Sequence, residues 1–157
     1  MYQNLIPQKD VWDVCCDHGY LGTAAYKSQN FANIYFVDRV KKPIDQLKTQ
    51  FKKFVFKAES ISQAQFICVD AQDIQKPVNG SISITGVGGF TIFEILEGLS
   101  ASHFLNADRL ILGPHRDDTK LIELIKNSAT LKQYQLKSDI EVVENNRIRS
   151  ILIFDQS

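Results

Sequence analysis

Residues 11–22 read VWDVCCDHGYLG, an apolar run that passes into a polar turn with two glycines. Residues 23–27 read TAAYK and suit a helix. A strand, a tight turn and a helix in this order hold a nucleotide-type ligand at the carboxyl end of a parallel strand. Gly19 lets the backbone approach a ligand, and Gly22 allows close packing at the helix start. The stretch therefore predicts an α/β fold and its ligand-binding turn.

Carboxylates stand in this turn where a pyrophosphate would need hydrogen-bond donors. They favour a ligand with positive charge and hydroxyl groups, such as S-adenosylmethionine, over a dinucleotide. The usual methyltransferase turn reads acid-x-Gly-x-Gly-x-Gly. Asp13 takes the acid position, Cys15 and Asp17 replace the first two glycines, and Gly19 keeps the third. The pattern alone also fits a strand end of another α/β protein, while the interrupted glycine fingerprint disfavours an NAD-binding oxidoreductase.

Composition fits one domain over residues 1–157, since the chain is 44% hydrophobic and 23% charged. The formal net charge is zero, so only a local patch can attract nucleic acid. With no apolar run of membrane-spanning length and no signal segment, we expect a cytoplasmic protein without a membrane partner. The chain has three cysteines, Cys15, Cys16 and Cys68, and no second cysteine or histidine pair at the spacing of zinc ligands. We therefore expect the cysteines to be small apolar residues at strand ends and expect no metal site.

Strand-like and helix-like segments alternate along the chain. Predicted strands cover residues 10–16, 33–38, 65–70, 81–85, 107–112, 134–143 and 148–154. Predicted helices cover residues 20–30, 90–99 and about 118–127, the last capped by Asp117 or Asp118, and another begins near Pro43 with apolar residues 44, 47, 51, 54 and 55 on one side. Residues 76–80 indicate a turn, and residues 144–147 a hairpin turn. This is the outline of the class I methyltransferase fold, a mostly parallel seven-stranded α/β sheet with helices on both faces and an antiparallel C-terminal hairpin.

Two further acids end predicted strands. Asp38 lies 19 residues after Gly19, near the spacing of about 20 residues at which an acid reaches ribose hydroxyls. Asp70 can accept from an adenine amino group, with the Ala71 backbone beside it. Residues 86–89 read GVGG after another strand and predict a ligand wall. Strand ends of a doubly wound sheet meet at one edge, so these groups predict one site.

Three motifs together resemble the bacterial tRNA (adenine-22-N1)-methyltransferase family: the turn of residues 13–22, TGVGG at residues 85–89 and ENNR at residues 144–147. The resemblance covers nearly the whole chain, and DH followed by YL at residues 17–21 is its most specific part. It implies a Rossmann-like class I methyltransferase with S-adenosylmethionine as cofactor, S-adenosylhomocysteine as product and tRNA as substrate.

The chain departs from the family at three places. Residues 15–16 are CC where the family has Gly-Ser, and residues 112–115 are LGPH where it has a Leu-Gln-Pro-Asn-like run. The sequence ends at Ser157 without the family's C-terminal helical extension, so we expect a short form. The predicted cofactor site comprises Asp13, Cys15, Cys16, Asp17, His18, Gly19, Asp38, Arg39, Asp70, Ala71, Gly86, Val87 and Gly88.

Adenine N1 carries a free lone pair that attacks the sulfonium methyl directly, so catalysis depends mainly on positioning and exclusion of water. Asp17 and His18 are the predicted catalytic residues, through stabilisation of developing positive charge or contact with the amino group. For His18, a structural hydrogen bond in the turn is an equal alternative. Tyr20 and Phe90 are candidates either to stack on a base or to belong to the core. His115 is expected either to face the pocket mouth or to cap a loop.

The basic run of residues 39–57 is the densest in the chain. It predicts an RNA-binding patch of Lys41, Lys42, Lys48, Lys52 and Lys53. A solvated helix face is the alternative for these lysines. For the whole protein, a methyltransferase acting on another RNA or a small molecule, and an inactive nucleotide- or RNA-binding module, remain the alternatives to a tRNA adenine methyltransferase.

Overall fold

Strands and helices alternate as predicted in the computed structural model, which describes residues 1–53, 62–144 and 146–157. In chain order the elements are β1 (Val11–Val14), α1 (Tyr20–Ser28), β2 (Asn33–Asp38), α2 (Lys41–Phe51), β3 (Gln63–Cys68), β4 (Val78–Thr85), α3 (Gly89–Ala101), β5 (Leu105–Gly113), α4 (Asp118–Asn127), β6 (Tyr134–Glu144) and β7 (Arg147–Gln156). The predicted apolar positions 54 and 55, and Asn145 of the hairpin turn, lie outside the described residues.

The described strands form one seven-stranded sheet in the order β3-β2-β1-β4-β5-β7-β6. β1 to β5 pair in parallel, while β7 runs antiparallel to both β5 and β6. The predicted mostly parallel sheet with a C-terminal hairpin is therefore confirmed. The strand order reverses between β1 and β4, so their carboxyl ends flank the point at which doubly wound sheets bind ligands.

Alternating residues of β1 face two apolar cores. Val11 belongs to one core, with α1 and α2, and Trp12 to the other, with α3 and α4. The buried helix positions are Ala25, Ile44 and Leu47 on the first face and Ile92, Leu96, Leu99, Leu121 and Ile125 on the second. Burial of each Ile or Leu contributes about 1.5–3 kcal/mol. Helices on both faces, as predicted, leave the strand ends as the accessible edge of the sheet.

The turn predicted at residues 76–80 is wrong in its second half, because β4 begins at Val78. Gly80 has φ 75° and lies where the register between β4 and β5 shifts. A Cβ there would lie 2.3 Å from the Asp10 carbonyl oxygen. The glycine thus serves a bulge beside β1, a use that the sequence pattern does not separate from a turn.

The start of α4 also differs from the predicted side-chain cap. Asp117 precedes the helix with φ 62°, and its side chain makes no capping hydrogen bond in the described structure. Asp118 instead accepts from the Thr119 main-chain N–H at 2.8 Å and from the Ser150 hydroxyl at 2.8 Å, which ties α4 to β7. Among the described residues, no helix combines the length and apolarity needed to cross a lipid bilayer.

Candidate functional site

A cavity of about 1130 Å³ opens at the carboxyl ends of the parallel strands. Residues that follow β1, β2, β3, β4 and β5 all contribute to its walls. Most of the predicted cofactor residues line it: Cys15, Cys16, Asp17, Asp38, Arg39, Asp70, Ala71, Gly86, Val87 and Gly88. Asp13, His18 and Gly19 do not line it. Ligand pockets commonly hold about 300–1,000 Å³, so this cavity has room for a nucleoside and a second group.

The turn after β1 uses left-handed backbone at each of the three positions where methyltransferases carry glycine. Cys15 has φ 56°, Asp17 has φ 45° and Gly19 has φ 60°. A side chain in this conformation costs roughly 1–2 kcal/mol, so the turn retains a strained shape despite two non-glycine residues. At Gly19 a Cβ would come within 2.9 Å of the Phe36 ring, which explains why glycine remains there.

Asp13 lies beneath the turn and does not reach the cavity. Its side chain is buried and accepts a hydrogen bond from the Gly22 main-chain N–H at 2.8 Å, at the start of α1. Burial raises the pKa of Asp13 to about 7, and the nearby Asp38 adds to the rise while the Gly22 bond opposes it. The structure places this acid as a support for the turn, whereas the sequence pattern predicted ligand contact.

Asp38 connects the turn to the end of β2. Its Oδ2 accepts from the Asp17 main-chain N–H at 3.0 Å, and its Oδ1 accepts from the Val40 main-chain N–H at 2.9 Å. A carboxylate offers about four acceptor positions, so both oxygens retain capacity for hydroxyl donors in the cavity. The same bonds fix the carboxylate where β1 and β2 end side by side.

The other walls come from β3 and β4. Asp70 is exposed on the cavity, and its carbonyl oxygen accepts from Asp73 N–H at 2.9 Å in a short 3-10 turn. Gly86 has φ 80°, and apart from Gly86 itself and its chain neighbours no described residue lies within 4 Å of the position that its Cβ would take. At Gly89, by contrast, a Cβ would lie 2.6 Å from the Asp117 carbonyl oxygen. One glycine leaves the cavity open and the other lets two loops pack.

The predicted catalytic pair stands at the outer edge of the turn. Asp17 Oδ2 lies 3.6 Å from His18 Nε2, and both side chains are mostly exposed. The His18 ring centroid lies 5.6 Å from that of Tyr20, whose side chain lines the cavity and is 80% exposed. Phe90, the second predicted stacking residue, is also exposed but lies outside the cavity lining.

Several lining residues were missing from the sequence prediction. α3 contributes Thr91 and Glu94, which lie one helical turn apart. Their spacing can be read from the sequence, but they belong to no motif that would mark them as ligand-binding. The hairpin contributes Val142 and Arg149, which no local signal identifies, since only the return of β7 beside β5 brings them to this edge. His115 lines the cavity as well, in agreement with the first of its two predicted placements.

The three cysteines are free thiols in the structure. Burial raises the pKa of Cys15 to about 11 and raises that of Cys16 further, so both thiols are neutral at pH 7 and act as small apolar groups. Across the described ranges, no three side chains of His, Cys, Asp or Glu are grouped to hold a metal ion.

Three of the predicted RNA-binding lysines, Lys41, Lys42 and Lys48, lie on α2, and Lys52 and Lys53 directly follow it. All five are exposed, and Lys41 pairs with Asp45 one turn later. α2 starts at the cavity, where Pro43 contributes to the lining, and runs away from it along the sheet. With a rise of about 1.5 Å per residue, the last residue of α2, which Lys52 follows, lies roughly three turns from the cavity end of the helix.

Solved structures with similar folds include several methyltransferases. TrmK of M. capricolum, solved with S-adenosyl-homocysteine, matches 99% of this chain with a TM-score of 0.76 and 17% identity. The B. subtilis tRNA methyltransferase TrmK matches 99% with a TM-score of 0.76 and 20% identity. Magnesium protoporphyrin IX methyltransferase from Synechocystis, with bound SAM, matches 96% with a TM-score of 0.69 and 13% identity.

These identities show a shared fold, and the predicted Rossmann-like class I methyltransferase fold is confirmed. The chain spans 66% and 63% of the two TrmK chains and 70% of the Synechocystis enzyme. No curated protein matches the sequence. A family model described as a methyltransferase domain matches residues 2–152, and the chain therefore belongs to the methyltransferase domain family.

Proposed function

We propose that this chain is an S-adenosylmethionine-dependent methyltransferase that acts on N1 of an adenine in tRNA. The observation that supports it most is the large cavity in which Asp17, Asp38 and Asp70 follow three successive parallel strands opposite the glycine turn after β4. Carboxylates suit a ligand that carries hydroxyls, an amino group and a sulfonium, and they repel a pyrophosphate.

The residues present fit this cofactor. Asp38 is positioned to accept hydrogen bonds from the ribose hydroxyls, because its two oxygens are held at the junction of the first two strand ends. We expect Asp70 and Ala71 to contact the adenine, and Cys15, Cys16 and Asp17, which also line the cavity, to contact the amino acid end. When bound, S-adenosylmethionine supplies an electrophilic methyl group on a positively charged sulfur.

The chemistry requires little from the protein beyond geometry. The lone pair of adenine N1 forms the new N–CH₃ bond while the electrons of the breaking C–S bond remain on sulfur, so the adenine gains the positive charge. Asp17 lines the cavity, 3.6 Å from His18 Nε2, and we expect its carboxylate to stabilise that charge. Tyr20 offers an exposed ring on which a base taken out of its stack can rest.

The substrate class is supported by the fold neighbours and by the exposed lysines on α2 and directly after it. The B. subtilis neighbour is a tRNA methyltransferase.

Exposed lysines bind phosphates without regard to sequence, so reversing Lys48, Lys52 and Lys53 to Glu should weaken tRNA binding and flatten its salt dependence. S-adenosylhomocysteine affinity should stay the same, because these residues do not line the cavity. Equal tRNA affinity and salt slope in the triple variant would refute the lysine patch.

Transfer of a labelled methyl group tests the function directly. Wild-type protein is incubated with total tRNA and methyl-labelled cofactor, and the tRNA is digested to nucleosides for identification. Label in 1-methyladenosine supports the proposal, and Asp38→Ala serves as the impaired control. Cofactor binding without label in any tRNA nucleoside would contradict the tRNA assignment and favour a small-molecule substrate, which the Synechocystis enzyme shows to be compatible with this fold.

A further inference from the structure

Most of the carboxylates around the cavity lie on one side of it, although Arg39 after β2 and Glu94 of α3 also line it. The carboxylates Asp17, Asp38 and Asp70 belong to the side formed by β1, β2 and β3. The opposite side, formed by the loop after β5 and the start of β7, carries His115, Arg116 and Arg149. These three residues are called the arginine rim below. Arg116 and Arg149 are 33 positions apart in sequence and meet only through the antiparallel return of β7.

Hydrogen bonds hold the arginine rim against the glycine turn. The His115 main-chain N–H donates to the Val87 carbonyl at 2.8 Å, and the Gly89 N–H donates to the Arg116 carbonyl at 3.0 Å. Arg149 donates from Nη1 to the His115 carbonyl. The rim is therefore fixed relative to Val87 and Gly88, which line the cavity.

The Arg116 guanidinium is presented to solvent at the cavity edge. Its side chain is 82% exposed, and its Nε lies 3.4 Å from the position that a Cβ on Gly88 would take. Asp117 Oδ2 lies 3.6 Å from Nε, an exposed ion pair of the kind that contributes about 0–1 kcal/mol. A phosphate can therefore bind the other guanidinium nitrogens in bidentate fashion at little cost.

We propose that the arginine rim binds the backbone phosphates that flank the target nucleotide of an RNA substrate, a proposal that rests on the proposed function. A base that enters the cavity from this side brings its phosphates to Arg116 and Arg149, and leaves the carboxylate side to the cationic cofactor. The rim lies at the cavity mouth, whereas Lys48, Lys52 and Lys53 lie towards or beyond the far end of α2. It thus positions the nucleotide, and the lysines add general affinity.

Arg116→Gln tests the arginine rim, with Arg116→Lys as the conservative variant and Lys132→Gln as the matched control. Lys132 is exposed and lies just before β6, at the end of the sheet where the parallel strands begin, away from the cavity. We expect Arg116→Gln to weaken tRNA binding about three- to tenfold and to lower the salt slope by about one. Arg116→Lys should recover part of the affinity, and Lys132→Gln should match the wild type. S-adenosylhomocysteine affinity should be unchanged in all three, since Arg116 does not line the cavity.

Arg149→Gln supplies a second test, with the melting temperature measured alongside because its guanidinium also holds the His115 loop. Wild-type tRNA affinity and salt slope in both glutamine variants, with an active wild-type protein, would overturn the rim and leave the proposed function intact. A wild-type protein that binds no tRNA would overturn the rim too, and S-adenosylhomocysteine binding would then show whether a methyltransferase assignment survives.

Discussion

At the scale of single residues, Asp38 has the largest predicted effect on the cofactor. Asp38→Ala removes an acceptor for ribose hydroxyls, the bond from the turn at Asp17 and the bond from Val40 N–H. Loss of a charge-assisted contact costs about 1.5–3 kcal/mol, so S-adenosylhomocysteine affinity should fall about ten- to hundredfold. Calorimetry measures the change, and Asp139→Ala, an exposed acid on β6, is the control. An unchanged dissociation constant with a native melting temperature would show that Asp38 is only a strand-end acid that does not bind the cofactor.

Asp13 gives a prediction about pH. Its pKa is 3.8 when unperturbed and about 7 in the folded protein, so the folded state binds a proton more tightly than the unfolded chain. The contribution of Asp13 to stability is therefore highest below about pH 4, falls as pH rises towards 7, and is constant above that, with a slope of at most about 1.4 kcal/mol per pH unit.

Asp13→Asn should remove this dependence, because the amide oxygen can still accept from the Gly22 N–H without ionising. Urea unfolding at pH 5, 6 and 7 compares the two proteins. We expect the stability of the variant to fall less with pH than that of the wild type. The same slope in both proteins would show that Asp13 keeps an ordinary pKa.

Asp38 and Asp13 differ in how well the sequence pattern predicts where their side chains lie. Asp38 lies at a strand end, where spacing alone predicts access to the ligand edge. Asp13 lies within β1, where side chains alternate between the faces of the sheet, and this one points towards α1. A turn motif gives the order of residues but not the depth of each side chain, so the motif wrongly predicts that Asp13 contacts the ligand.

At the scale of elements, the glycine turn after β4 packs against the loop before α4, and this contact holds the start of α3 next to that loop. Gly89→Ala would place a Cβ 2.6 Å from the Asp117 carbonyl oxygen, which is main chain and cannot move aside cheaply. Overpacking of this kind costs about 1–3 kcal/mol, so thermal unfolding should occur several degrees lower.

The adjacent Gly88→Ala is the matched control. Its φ of −75° suits any residue, and the nearest atom to a new Cβ is Arg116 Nε at 3.4 Å, on a flexible side chain. Its stability should stay within about 0.5 kcal/mol of the wild type. Equal melting temperatures for both alanine variants and the wild type would contradict the proposed packing of the two loops.

Element boundaries followed hydrophobic patterns where the pattern was continuous, as in β2, whose predicted and observed bounds agree. The predicted boundaries were wrong where a glycine interrupts a strand. β4 starts at Val78, earlier than predicted, because the bulge at Gly80 looks like a turn in the sequence. Such a bulge depends on the neighbouring strand, and no local rule contains that information.

At the scale of the whole molecule, the cavity exists because the sheet reverses its strand order between β1 and β4. The alternation of strands and helices predicted the edge at which it opens. Glu94 and Arg149 could not be predicted as lining residues, because their positions depend on how α3 and β7 pack against the sheet. Residues adjacent to a motif are therefore predictable, whereas those contributed by distant elements require the structure.

Ligand preference follows from this same arrangement of charges. Calorimetry with S-adenosylhomocysteine and NAD, each titrated into the wild-type protein, compares a ligand that suits the strand-end carboxylates with one whose pyrophosphate they would repel. We predict a dissociation constant for S-adenosylhomocysteine on the order of micromolar, by analogy with ordinary ligand sites, and much weaker binding of NAD. Tighter binding of NAD, or no heat from S-adenosylhomocysteine, would contradict the assignment of the cavity as a methyl-donor site.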